Sequence, residues 1–148
     1  MLGLFSVEKD THFLYLVMQF CSRNIYGFVT TKDVCLALWL ESGYRNAQLF
    51  KLIRDIVVGV KELHVENIIH GDLNSQNIFV VNERRILVKL SGMTIKSHHA
   101  FSKGTPVWRA PELIREMEQT KATNMFSLGC VIYYCLTCDD HLFGDHFE

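Results

Sequence analysis

At 148 residues the chain suits one domain with room for a real core. Hydrophobic residues make up 49%, charged residues 21%, and the formal net charge is −1. That balance excludes a general attraction to nucleic acid or to an anionic membrane surface. No signal peptide is expected from the first residues, and the longest nearly apolar run, Met125 to Leu136, is too short to span a bilayer. Five cysteines scattered through apolar surroundings suggest reduced intracellular thiols. A soluble, cytosolic-type unit is expected.

In chain order, Leu2 to Val7 and His12 to Phe20 are apolar, aromatic-rich runs around polar Glu8-Lys9-Asp10-Thr11, which predicts an antiparallel hairpin. Asn24 to Val29 is a short amphipathic piece, and a less regular segment runs from Lys32 to Leu40. After the break at Ser42-Gly43, a helix is predicted over Asn46 to Val65. Leu49, Ile53, Ile56, Val57, Val60, Leu63 and His64 would form its apolar face. Short strands follow at Ile78–Val81 and Ile86–Leu90, around the polar turn Asn82-Glu83-Arg84-Arg85. Residues 94–109 lack a period and read as loop. Pro111 suits the first turn of a short helix, with Glu112 favoured there by the helix dipole. Thr123 to Thr137 reads as a helix apolar nearly all round, hence deeply buried, with Tyr133 and Tyr134 as packing residues.

Between the long helix and the first short strand stands Ile68-Ile69-His70-Gly71-Asp72-Leu73-Asn74-Ser75-Gln76-Asn77-Ile78-Phe79. This H-x-D-L-x-x-x-N frame resembles the catalytic loop of protein kinases. Ala110-Pro111-Glu112 and Phe126-Ser127-Leu128-Gly129-Cys130 continue the likeness in the order that fold requires. Val7-Glu8-Lys9-Asp10 leading to Met18-Gln19-Phe20-Cys21, the run Gly104-Thr105…Trp108, and Tyr133-Tyr134…His141-Leu142-Phe143-Gly144-Asp145 narrow it. Together they resemble the inositol-requiring kinase/endoribonuclease family of the unfolded protein response.

The resemblance implies an α+β, protein-kinase-like fold: a hinge hairpin of the small lobe and a mainly helical, truncated big lobe. Residues 1–148 would be a partial kinase domain, with 1–21 the small-lobe strands and hinge and 22–148 the big lobe through its central helix. It also implies roles. Asp72 would be the proton acceptor and Asn77 the ligand of a second magnesium ion. Met18 would be the gatekeeper, Gln19 and Cys21 would offer hinge backbone groups to ATP or ADP, and Phe79 would lie under the purine. Partners would be nucleotide, a second kinase domain in a homodimer, or a longer parent chain, with no nucleic-acid contact from this segment. The location would be cytoplasmic, or the cytosolic face of the endoplasmic reticulum membrane within a full-length family protein.

Departures from the pattern matter as much. Gly71 stands at the usual arginine position and Asn74 at the usual lysine position, while Gly92-Met93-Thr94 replaces the metal-binding Asp-Phe-Gly. Phosphoryl transfer depends on positioning and electrostatics, and one lost charge-stabilising group costs about 3–4 kcal/mol. No glycine-rich phosphate loop or strand lysine occurs in the sequence. Asn124 stands where an aspartate usually anchors the loop backbone, so it can accept the same bonds without the charge. Asp72 and Asn77 also admit a plainer reading, as Asx residues satisfying backbone groups in a tight loop. Three functions stay open: an active serine/threonine kinase, an inactive kinase-like binding module, and a truncated product without an independent role. Poor stability in isolation is expected, because the first two strands would carry an unpaired edge.

Overall fold

The structure is a computed structural model that describes residues 3–31, 47–81, 87–92, 106–115, 118–138 and 141–144. The expected segment Lys32–Leu40, the turn Asn82–Arg85 and most of the loop expected over residues 94–109 lie outside those residues.

Strands β1 (Leu4–Lys9) and β2 (Leu14–Met18) pair antiparallel, Lys9 opposite Leu14 and Leu4 opposite Met18. Glu8 and Lys9, expected in the turn, belong to β1 because Asp10 makes the turn by itself. One of its carboxylate oxygens accepts the backbone N–H groups of His12 and Phe13, each at 2.7 Å, and the other accepts the Tyr15 hydroxyl at 2.7 Å. The Tyr15 hydroxyl first, then those two N–H groups, hold the Asp10 carboxyl below its ordinary pKa.

Strand β3 (Arg23–Asn24) runs straight into α1 (Ile25–Val29), with Asn24 Oδ1 accepting from the Gly27 N–H at 2.9 Å as the cap. A second antiparallel sheet has the order β3–β4–β5, with β4 Ile78–Val80 and β5 Val88–Leu90. Its register sets Phe79 opposite both Asn24 and Lys89.

Helix α2 (Ala47–Val65) buries Leu49, Leu52, Ile56, Val60 and Leu63. The stripe is rotated from the expected one. Leu52 joins it fully buried, Ile53 and His64 are half-buried, and Val57 stays 38% exposed. A helix of 3.6 residues per turn buries the row centred on its contact line, and Val57 sits beyond its margin. A methyl on Gly59 would lie 3.2 Å from Leu90 Cδ1, so α2 and β5 pack closely there. The helix ends at Asn67 in the left-handed region (φ 56), with the Ile68 N–H on the Leu63 carbonyl at 2.8 Å.

A 3-10 turn (Pro106–Trp108) and α3 (Pro111–Ile114) lead to α4 (Lys121–Thr137). This last helix starts two residues before the predicted Thr123, because Thr120 and Thr123 form a reciprocal capping box. One side of it is buried as expected: Leu128, Cys130, Val131, Tyr134 and Cys135 join the core with Leu52, Ile56, Ile78 and Leu90. The other side corrects the expectation, with Met125 53% and Tyr133 36% exposed. An all-apolar helix is buried only where a neighbour covers it.

Cys138 caps α4 in the left-handed region and is disulfide-bonded, which corrects the expectation of reduced thiols. It sits at a half-buried helix end rather than inside the core. Cys21, Cys130 and Cys135 are free, and burial pushes the Cys135 thiol up to about 12. Among the described residues no helix is long and apolar enough to cross a membrane.

Candidate functional site

The connection from α2 to β4 carries the H-x-D frame, and α4, Gln119 just before it and Ser91 just after β5 hold it. His70 is completely buried, its Nδ1 accepting the Asp72 N–H at 3.4 Å. Burial pushes its imidazole below the ordinary pKa, against the opposing pull of the Ser91 backbone and the Asp72 charge. Gly71 is in the left-handed region at φ 80, where a side chain would be strained. Its N–H donates to Asn124 Oδ1 at 3.2 Å and its carbonyl accepts from Gln119 Nε2 at 3.0 Å. Asn124 therefore anchors the loop backbone as expected. Gln119 is a second anchor that no sequence pattern marked. Ser127, one turn along α4 from Asn124, donates to the Trp108 carbonyl at 2.7 Å, tying the Ala110-Pro111-Glu112 run to the same helix.

Asp72 is the hub of the loop. Asn77 Nδ2 donates to its Oδ2 at 2.8 Å and to its main-chain oxygen at 2.8 Å. Asn74 Nδ2 donates to its Oδ1 at 3.1 Å and to the same main-chain oxygen at 3.2 Å. The Asn74 side-chain oxygen faces the other way, accepting the N–H groups of Gln76 at 2.9 Å and Asn77 at 3.1 Å. Asn74 is 5% exposed, so its orientation is fixed by four hydrogen bonds rather than by solvent. The sequence reading saw Asn74 only as a missing lysine. The structure makes it a working part of the loop.

Gly92, where a carboxylate would be expected, sits at φ 72. A Cβ built on it would lie 2.6 Å from both Cγ and Oδ1 of Asn77, closer than real side chains approach. The Ser91 N–H binds the Asn77 carbonyl at 2.9 Å, which sets the two segments side by side.

Of the base-binding candidates, Gln19 and Phe79 are both linked to Lys89 of β5. Phe79 is half-buried between buried Ile78 and Val80, so its ring lies on the side turned from the core. Lys89, its partner across the ladder, donates to Gln19 Oε1 at 2.8 Å and so ties the sheet to the segment that follows β2. The Cys21 thiol donates to the Gln19 carbonyl at 3.7 Å, and the Gln19 N–H is taken by the Gly3 carbonyl at 2.8 Å. Burial raises the Cys21 thiol pKa, opposed by the Lys89 charge. Met18 ends β2 with 42% of its surface exposed. Lys89 carried no sequence signal of its own, since its partner lies 70 residues away. A shallow pocket beside the loop is lined by Asp72, Trp108, Arg109, Leu113, Thr123 and Ser127.

The H-x-D loop and the Ala-Pro-Glu run, both tied to one helix, define a protein kinase domain, and that family matches residues 1–147. The chain belongs to it. Its relatives include the serine/threonine-protein kinase/endoribonuclease IRE1 of Oryza sativa subsp. japonica, 37% identical over 98% of this chain and 18% of that protein. IRE1b of Arabidopsis thaliana is 30% identical over 97% of this chain and 20% of that protein. The chain thus spans about a fifth of the length of these curated relatives. A solved structure of Rad53 in complex with AMP-PNP is also similar, with TM-score 0.68 and 26% identity over 91% of this chain and 33% of that one. The α+β, kinase-like fold expected from the motifs is therefore the fold observed.

Proposed function

We propose that this chain is a kinase-like signalling module that binds a purine nucleotide between its hinge and β4 and is impaired in phosphoryl transfer. The carrying observation is Gly92: it has no carboxylate, and Asn77 occupies the space a side chain there would need. Asn74 adds no positive charge to offset a transferred phosphoryl group. Base recognition needs neither. The Gln19 carbonyl, the Cys21 N–H and the turned-out face of Phe79 supply polar edge and apolar floor, with Met18 as gatekeeper. The AMP-PNP bound by the similar Rad53 supports this assignment of the cleft.

Within a longer polypeptide like the IRE1 relatives, such a module would report nucleotide state and self-association to an attached domain. The retained loop frame, with Asp72 and Asn77 in register and Gly71 held by Asn124, favours a second reading: an active serine/threonine kinase in a longer chain. Two measurements on purified chain decide between them, an ATP- or ADP-dependent rise in melting temperature and transfer of labelled γ-phosphate to a generic protein substrate. Binding without transfer supports the proposal. Transfer that is lost in Asp72→Asn establishes the second reading instead.

A further inference from the structure

We propose that His64 is a positioning residue for the H-x-D loop, holding Gly71 in place through Asn124 only while its imidazole is neutral. The inference concerns the loop backbone and stands whether or not the cleft takes a nucleotide.

Along the relay Gly71–Asn124–His64, donor and acceptor roles are forced from one end. The Gly71 N–H can only donate, so the atom that faces it at 3.2 Å is Asn124 Oδ1. That turns the Asn124 NH₂ group toward α2, where its Nδ2 lies 3.3 Å from His64 Nε2. An amide nitrogen also only donates, so His64 Nε2 must offer a lone pair and the ring proton rests on Nδ1. Asn124 is 2% exposed, and little solvent reaches it to replace either partner. Protonating His64 sets an Nε2–H against the Asn124 NH₂ group. Turning the amide over would satisfy the imidazolium and leave the Gly71 N–H facing NH₂ instead. Either way a buried donor loses its acceptor. Gly71, at φ 80, would then keep only the Gln119 bond to its carbonyl. An aspartate at position 124 would offer an oxygen to both sides, so the asparagine is what makes the anchor sensitive to a proton.

The surroundings of the ring act in the same direction. His64 is half-buried, and burial first, then the Lys121 ammonium of α4, hold its pKa below the ordinary value. Lys121 Nζ donates to Asn67 Oδ1 at 2.8 Å, which fixes that charge beside the end of α2. Lys61, one turn back on α2, carries charge of the same sign, while Glu62 and Glu66, two residues to either side, do not face the ring. In the loop, His70 Nδ1 takes the Asp72 N–H rather than turning to His64. The anchor is therefore complete above about pH 6.5 and is given up as pH falls through the folded pKa.

NMR on the full chain reads each step. At neutral pH the ring nitrogen shifts of His64 should show a proton on Nδ1 and a bare Nε2. On acidification the ring and the Gly71 amide should titrate with one midpoint, below the ordinary imidazole value. A ring that carries its proton on Nε2 overturns the proposal, and so does a Gly71 amide that stays still while His64 titrates. Two variants separate coupling from packing. His64→Gln puts a side-chain oxygen near the place of Nε2 and cannot be protonated, so the anchor should survive and the Gly71 amide should lose its pH response. A response that persists in that variant would come from the neighbouring His70 and would sink the role of His64. Asn124→Asp should raise the His64 pKa by about one pH unit or more and move the neutral ring's proton to Nε2, with Gly71 held to lower pH. An unchanged His64 pKa in Asn124→Asp would show that the ring does not sense residue 124, which overturns the relay.

Discussion

The amino-terminal hairpin and the helical body use similar side chains to opposite ends. In the hairpin, Phe5, Val7, Leu14, Leu16 and Val17 are between 40% and 72% exposed, and every residue of β2 is open to solvent. In the body, Leu49, Leu52, Ile56, Ile78 and Val131 are completely buried. The apolar, aromatic-rich runs predicted the hairpin but not whether it would be covered. Apolar character states only what a residue gains if covered, whereas burial needs a second layer. The body has that layer, because α2 lies across β5 and against α4. The hairpin is joined to it by polar links such as Lys89 to Gln19, and its shape comes from Asp10 and its own backbone ladder.

The largest test of this contrast is a pair of truncations. Ile56→Ala should cost about 2–5 kcal/mol of unfolding free energy through lost burial and the cavity left behind. Leu16→Ala in β2 should stay within about 0.5 kcal/mol. Urea unfolding followed by circular dichroism measures both. Equal costs would mean that the hairpin is packed in solution and would break the comparison.

Next comes Gly92→Asp, which restores the missing carboxylate in chemistry but not in space. Strain at φ 72 and the contact with Asn77 should cost about 1–3 kcal/mol, and phosphate transfer should not appear. Measurable transfer by that variant would show that the loop relaxes where the body is expected to be rigid. Smaller again is Thr120→Ala, which removes one half of the α4 capping box and should lower stability by about 1 kcal/mol. The same change at exposed Thr11 of the hairpin should be nearly silent by the same measurement.

The two regions should also separate on acidification. His70 has a folded pKa below its unfolded value, so it contributes stability above about pH 6.5 that is lost as pH falls toward the folded pKa. The body should weaken there first, and His70→Phe should flatten that dependence. Asp10 has a depressed carboxyl, so the hairpin turn keeps its bonds until pH falls below about 4. NMR shifts of Tyr15 and of the α4 amides, followed through the same titration, would show whether the body responds first. A simultaneous change would argue for one cooperative unit.

Much of this was legible in the chain. The helix over Ala47–Val65 and its period, the strands flanking the loop and the H-x-D register follow from contacts within a few residues, which local pattern encodes. The piece expected over Asn24 to Val29 has the bounds of α1 and its cap, while the start of α4 was missed by two residues, since capping geometry depends on backbone angles rather than composition. Phe79's place on the outward sheet face was implied by its position between Ile78 and Val80. The role of Asn74 was not, because a vacant lysine position says nothing about which way the replacing amide points.

By itself the sequence determined the family, the order of elements and the absence of charge at positions 74 and 92. Tertiary structure decided what those absences became. Asn124 reaches Gly71 across 53 residues and Lys89 reaches Gln19 across 70, and neither pairing leaves a local trace. The packing of Asn77 against Gly92 leaves no room for a side chain there, and the exposure of the hairpin depends on what lies above it. Hydrogen-bond direction and burial are properties of neighbours brought together by folding, so only the folded chain specifies them.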